Sequence, residues 1–196
     1  MNQKTFILIG RSGCGKGTQG KLLTEYLKKN DPSHEVLYVQ AGGEFRKFIQ
    51  GNSHTQVLTK KIYDVGGLMP EFLAVYMWVN YIVANYKGNE HIIMDGMPRK
   101  HHEAGVLDSV FDFYGLEYPT VIHLNVSKEW SVERLMARGR LDDKKEEIEE
   151  RLSWYETDVV PTIDYYKKNN KYTFAEVNGE RTVDEVQKEI VEKIGF

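Results

Sequence analysis

The 196-residue sequence has a single cysteine, Cys14, so it can form neither an internal disulfide framework nor a cysteine-rich zinc site. A reducing compartment suits such a chain. Surplus positive charge is missing as well: 26 Lys and Arg stand against 29 Asp and Glu, a net charge of −3. No global positive field marks a nucleic-acid binder, so any anionic ligand must be held by locally placed cations. Arginine is scarce, with eight residues against eighteen lysines. Long apolar runs are lacking too. Residues 6–9 are too short for the apolar core of a signal peptide. Residues 72–84, broken by Asn80, fall short of the ~18 that a spanning helix needs. The latter reads as a buried helix, and the protein as a cytoplasmic monomer with no membrane or nucleic-acid partner. No repeat, low-complexity tract or linker interrupts the chain.

What is present is ordinary globular usage, 41% hydrophobic and 28% charged, which excludes disordered and coiled-coil classes. The length suits one domain with a core that needs no cross-links. Short runs rich in Val, Ile, Tyr and Phe occur at 5–9, 35–40, 91–95, 120–126 and 172–177. Several are continuously apolar, as strands covered on both faces are. Helical patterns fall at 15–28, 53–64, 71–85, 102–113, 128–138, 142–168 and 182–193. In the long sixth one, Ile148, Leu152, Tyr155, Val159, Ile163 and Tyr166 recur at steps of three and four, which predicts a buried stripe. Pro161 should kink or interrupt that helix. The alternation predicts a doubly wound parallel sheet of about five strands with helices on both faces. Between residues 40 and 91 the rhythm breaks, and 43–72 reads as a helical insertion above the sheet.

The first strand runs into Gly10-Arg11-Ser12-Gly13-Cys14-Gly15-Lys16-Gly17-Thr18 and then a helix. Gly10, Gly15 and Lys16 have the spacing of a phosphate-binding Walker A loop, in which backbone N–H groups and a helix start cradle phosphates and the lysine reaches the outer ones. That spacing should arise by chance in about one chain in twenty. Its placement between a strand and a helix makes the functional reading the better one. The strict pattern wants Ser or Thr after the lysine; here Gly17 stands there, and the hydroxyl follows on Thr18. Residues 15–20 also spell G-x-G-x-x-G, but the glycines start too far beyond the strand, and the second strand ends in Gln40-Ala41-Gly42 without an acid. A dinucleotide site is therefore rejected. Cys14 reads as a small residue suited to a tight turn. The third strand ends in Asp95, followed by Gly96-Met97-Pro98-Arg99; a carboxylate there can hold water around Mg²⁺. Arg46, Arg99, Arg134, Arg138, Arg140 and Arg151 mostly follow strand or turn ends, and planar forked donors suit phosphoryl oxygens. His101-His102 reads as a solvated helix start, since adjacent residues face apart.

Together these residues resemble the adenylate kinase and nucleoside monophosphate kinase family, over nearly the whole chain and as a short-lid type. The resemblance rests on the Gly-Lys-Gly-Thr ending of the loop, Asp95 to Arg99, residues 133–140, Asp142-Asp143, Arg151-Leu152, and Pro161 with Tyr165-Tyr166. It implies a P-loop NTPase-type fold in one domain, with core 1–42 and 73–196, a monophosphate-binding insertion at about 43–72 and a minimal lid at about 138–142. It also implies ATP as phosphoryl donor with Mg²⁺, held through water by Asp95 and Thr18. ATP would lie on Gly13, Cys14, Gly15, Lys16, Gly17 and Thr18, with Arg134 stacked on its adenine. Gly42, Arg46, Gly67, Met69, Gly96, Arg99 and Glu103 would form the acceptor site. Lys16, Arg99, Arg138, Arg140 and Arg151 would be catalytic. The expected reaction is transfer of the ATP γ-phosphoryl group to AMP. Glu103 stands where the family's adenine-reading Gln is expected, and Ala41 stands for a Thr. A pyrimidine or guanine monophosphate kinase therefore remains an alternative, as does a non-catalytic nucleotide sensor.

Overall fold

The computed structural model describes residues 3–139 and 143–196. Five parallel strands, β1 (Thr5–Ile9), β2 (Glu35–Gln40), β3 (Glu90–Asp95), β4 (Thr120–Asn125) and β5 (Thr173–Asn178), lie in the order β2-β3-β1-β4-β5. The first two match the expected residues, and the ends of the other three move by at most one. Side chains alternate across β1. Phe6 and Leu8 join Leu23, Leu27, Val186 and Ile190 in one core, while Ile7 and Ile9 join Trp78, Phe111, Tyr155 and Tyr166 in the other. All five residues of β1 are buried, as a strand covered on both faces requires.

Helices α1 (Lys16–Asn30) and α9 (Val183–Ile194) cover the first face. On the other lie α4 (Glu71–Asn85), α5 (His101–Tyr114) and α8 (Val160–Lys168). Before α4 come α2 (Ala41–Phe48) and α3 (His54–Tyr63), which fill the interval without strands. A small separate core of Phe45, Met69, Leu73 and Met77 ties this part to the start of α4. Ser53 opens α3 with a reciprocal cap, its hydroxyl accepting from Gln56 N–H while the Gln56 side chain accepts from Ser53 N–H.

Two expectations are refined. The long helical pattern divides into α7 (Lys145–Trp154), a π-helical turn at Tyr155–Val159, and α8. The wide turn lies just before Pro161, which has no N–H to continue the ladder. All six residues of the stripe from Ile148 to Tyr166 are buried, so the wide turn keeps their faces in phase. Residues 72–84 are not buried all round. α4 sinks Leu73, Met77, Trp78 and Ile82 but leaves Phe72, Tyr76 and Val83 exposed, because the sheet covers only one side of it. No helix among the described residues is long and apolar enough to cross a membrane.

Candidate active site

The C-terminal ends of β1, β2 and β3 open into one cleft of about 860 Å³. Gly15, at φ +100, turns the chain from the loop after β1 into α1, a conformation that side-chain-bearing residues rarely adopt. Lys16 Nζ donates to the Gly10 and Arg11 carbonyls, 2.8 Å each, which holds the ammonium across the mouth of the loop. Cys14 is buried among Phe6, Leu8, Leu124 and Val126, with Sγ 3.5 Å from Lys16 Nζ. It fills space behind the loop, as its size suggests. Thr18 is exposed and lines the cleft.

Asp95 is buried. Its Oδ2 accepts hydrogen bonds from Tyr38 OH at 2.8 Å and from Gln40 Nε2 at 2.7 Å. Parallel pairing sets Gln40 beside Asp95, and the two-residue period of β2 brings Tyr38 to the same side. Burial first, and then the Asp95 charge, pushes the Tyr38 phenol far up, so it stays a donor. A Cβ on Gly17 would sit 3.6 Å from Asp95 Oδ2, so the residue after the lysine lies against this carboxylate. Oxygen donors in a polar cleft fit a hard cation such as Mg²⁺ held through water.

The arginines come from separate elements. Arg46 on α2 reaches Gln40 Oε1 at 3.5 Å and lies over Gly42. Arg99 donates through Nε to Gly96 O at 3.1 Å, and its guanidinium faces the Trp154 ring at 5.1 Å. Helix α6 (Lys128–Arg138), capped by Ser127, puts Trp130, Arg134 and Arg138 four residues apart along one face. Arg134 lies over the Trp130 ring at 4.4 Å. The side chain of Asp143, with no exposed surface, takes both Arg138 (Nε 2.8 Å, Nη2 2.6 Å) and Arg151 (Nη2 2.9 Å). Among the described residues, Lys16, Lys21, Arg46, Arg99, Arg134, Arg138, Arg151 and Arg181 line the cleft against Glu25 and Asp95. On a chain of net charge −3, that concentration is a site for a polyanion.

Most residues singled out from the sequence line this cleft: Gly13, Cys14, Gly15, Lys16, Gly17, Thr18 and Arg134, together with Gly42, Arg46, Gly67, Met69, Gly96 and Arg99. Arg140 lies outside the described residues, as does most of the expected lid. Glu103 is the exception. It is buried on the first turn of α5, outside the lining of the cleft, and its Oε2 accepts the backbone N–H of Arg99 at 3.0 Å. Burial raises its pKa, while the Arg99 N–H and charge oppose the shift.

Sequence reasoning passed over Tyr38, Gln40, Trp130, Trp154 and Arg181. Helical spacing, three after Arg151 and four before Arg134, is the signal that points to the two tryptophans. Away from the cleft, Asp31, His34 and His91 gather as the only trio of possible metal ligands found among the described residues. His91 Nδ1 accepts the Lys4 N–H at 2.9 Å. In the neutral ring, Nε2 then keeps its proton and has no lone pair for a metal.

A sequence profile described as Adenylate kinase matches residues 8–171. The chain is similar to the adenylate kinase of Chloroherpeton thalassium, 31% identical over 217 aligned residues covering 95% of each chain. It is 32% identical to the adenylate kinase of Flavobacterium psychrophilum over 96% of each. Against adenylate kinase 1 of Nostoc sp. the identity is 30%, over 96% of this chain and 97% of that one.

Proposed function

This chain is a phosphotransferase of the adenylate kinase family, and from that premise we propose how its residues divide the reaction Mg·ATP + AMP ⇌ 2 ADP. One observation carries the assignment: among the described residues, eight cations from separate segments face one cleft with two carboxylates. A site for one triphosphate alone would not need arginines from α2, the turn after β3, α6 and α7 together.

The loop N–H groups and Lys16 hold the ATP phosphates at the start of α1. Arg134, backed by the Trp130 ring, stacks on the ATP adenine. Arg46 and Arg99 clamp the acceptor phosphate beside Gly42, Gly67, Met69 and Gly96. Arg138 and Arg151, oriented by Asp143, bind the transferring phosphoryl group, and Arg140 acts with them. The transition state is loose and carries charge on three equatorial oxygens, so these residues position reactants and stabilise charge. The acceptor oxygen is already ionised, so no general base is required and no covalent intermediate forms. Bound Mg²⁺ would neutralise charge on the ATP phosphates, with Asp95 and Thr18 holding its waters. The 43–72 insertion closes over the acceptor, which excludes water from the donor phosphate.

The test is incubation with Mg·ATP and, separately, AMP, CMP, UMP and GMP, quantifying each diphosphate. AMP is expected to be the best acceptor. Preference for another base overturns the acceptor assignment, and ATP binding without any turnover returns a nucleotide sensor. In Glu103→Gln, the amide oxygen can still accept the Arg99 N–H. The base preference of this variant is therefore expected to match wild type; an altered order of acceptors would make residue 103 a base reader instead.

A further inference from the structure

Trp154 joins three parts of the cleft, and none of the roles above uses it. It is the last residue of α7, three after Arg151, and the π-helical turn begins directly after it. Its indole Nε1 donates to the Gly66 carbonyl at 3.1 Å, across to the turn that leads out of α3. Its ring faces the Arg99 guanidinium at 5.1 Å. Arg99 is thus held between the Gly96 carbonyl on one side and an aromatic face on the other, an arrangement that favours a cation.

Gly66 is shaped for this contact. Its φ is +70, and a Cβ there would lie 2.4 Å from the Glu147 carbonyl oxygen, so the turn rests directly on the α7 backbone. Gly66, Gly67 and Met69 of the same segment line the cleft. One indole therefore ties the turn 66–69 to the helix that carries Arg151, and it also sets the plane of Arg99.

We propose that Trp154 is a positioning residue of the acceptor side: its N–H clasps the Gly66 turn to α7 while its ring orients Arg99, so that the acceptor pocket and the transferring-phosphoryl arginines share one geometry. This rests on the reading that Arg99 holds the acceptor phosphate. The clasp separates two functions within one side chain. The N–H governs where the insertion docks, and the ring face governs the arginine.

Trp154→Phe keeps an aromatic face and loses the N–H; Trp154→Leu loses both. The phenylalanine variant should raise KM for AMP about fivefold, the worth of one neutral hydrogen bond, with kcat and KM for ATP within about twofold. The leucine variant should raise KM for AMP further and also lower kcat. Backbone hydrogen exchange over residues 62–69, read on the full chain without nucleotide, should be faster in Trp154→Phe than in wild type. A merely structural role would shift both KM values together, and that result overturns the proposal. Unchanged exchange overturns the clasp whatever the kinetics. Should wild type phosphorylate no monophosphate, the catalytic reading fails on its own account, and the exchange comparison still decides whether the clasp exists.

Discussion

Asp143 holds together two of the arginines to which we assign the transferring phosphoryl group. Its side chain is fully buried while accepting from Arg138 and Arg151, whose side chains keep 30% and 12% of their surface exposed. The carboxylate spans two guanidinium groups from different helices, and charge-assisted hydrogen bonds of this kind fix the orientation of each. Arg138→Ala or Arg151→Ala should therefore lower kcat by about 10³ or more and leave the far-ultraviolet circular dichroism unchanged. A normal kcat in both variants removes them from the transfer step. Asp143→Asn keeps the shape but loses the charge that sets both arginines. Its kcat should fall less than in either arginine deletion, and its melting temperature should fall more, because two cations lose a buried partner.

Element packing decides the sign of some substitutions against local propensity. Gly20 lies inside α1, where Ala would favour the helix by roughly 0.5–1 kcal/mol. A Cβ there would lie 2.6 Å from the Tyr38 Cε2 and OH atoms and 3.0 Å from Leu8 Cδ1. Overpacking of that kind costs about 1–3 kcal/mol, so Gly20→Ala should lower the melting temperature. It should also move the Tyr38 hydroxyl from Asp95, an effect visible as weaker Mg·ATP binding in calorimetry. A gain in melting temperature would show that the Tyr38 ring can yield. The same strand pairing that seats Tyr38 also aligns Gln40 with Asp95. Gly20 thus acts on the site through β2.

Across the whole molecule, the core beneath the phosphate loop carries a pH liability. His123 on β4 is buried, with Nε2 3.4 Å from Tyr155 OH and Nδ1 3.6 Å from Glu176 Oε2. Burial lowers its pKa to about 4, against the partial pull of Glu176. The unfolded chain binds a proton at this residue near pH 6.5, before the folded chain does. Stability is therefore lost as pH falls from about 6.5 to about 4, by up to ~3 kcal/mol from this group, and is fully present above that range. His123→Phe should flatten this limb when melting temperature is followed against pH. An unchanged slope assigns the limb to other groups. Tyr155 lies in the same layer and supports Arg11 of the loop at 4.2 Å, so acid loosening should reach the phosphate site.

Elements whose signals are local were legible from the residues alone. The β1 run, the glycine and lysine spacing of the loop, the acid ending β3 and the stripe from Ile148 to Tyr166 all depend on residues close along the chain, where period and turn chemistry act directly. The sequence also brought nearly all the cleft arginines into view, since scarce residues at strand and turn ends stand out. Tertiary structure alone decided which groups those residues meet. Tyr38 and Gln40 reach Asp95 only through parallel register, which spans more than fifty positions of sequence. Glu103 turns to the Arg99 backbone rather than into the cleft because the start of α5 lies beside an N–H that needs an acceptor. The outer side of α4 stays exposed because the sheet covers one side, a fact no hydropathy run contains. Trp154 acquires its partners from a turn 88 residues away. Local pattern specifies what a segment can form, and burial against distant segments specifies what each side chain there can do.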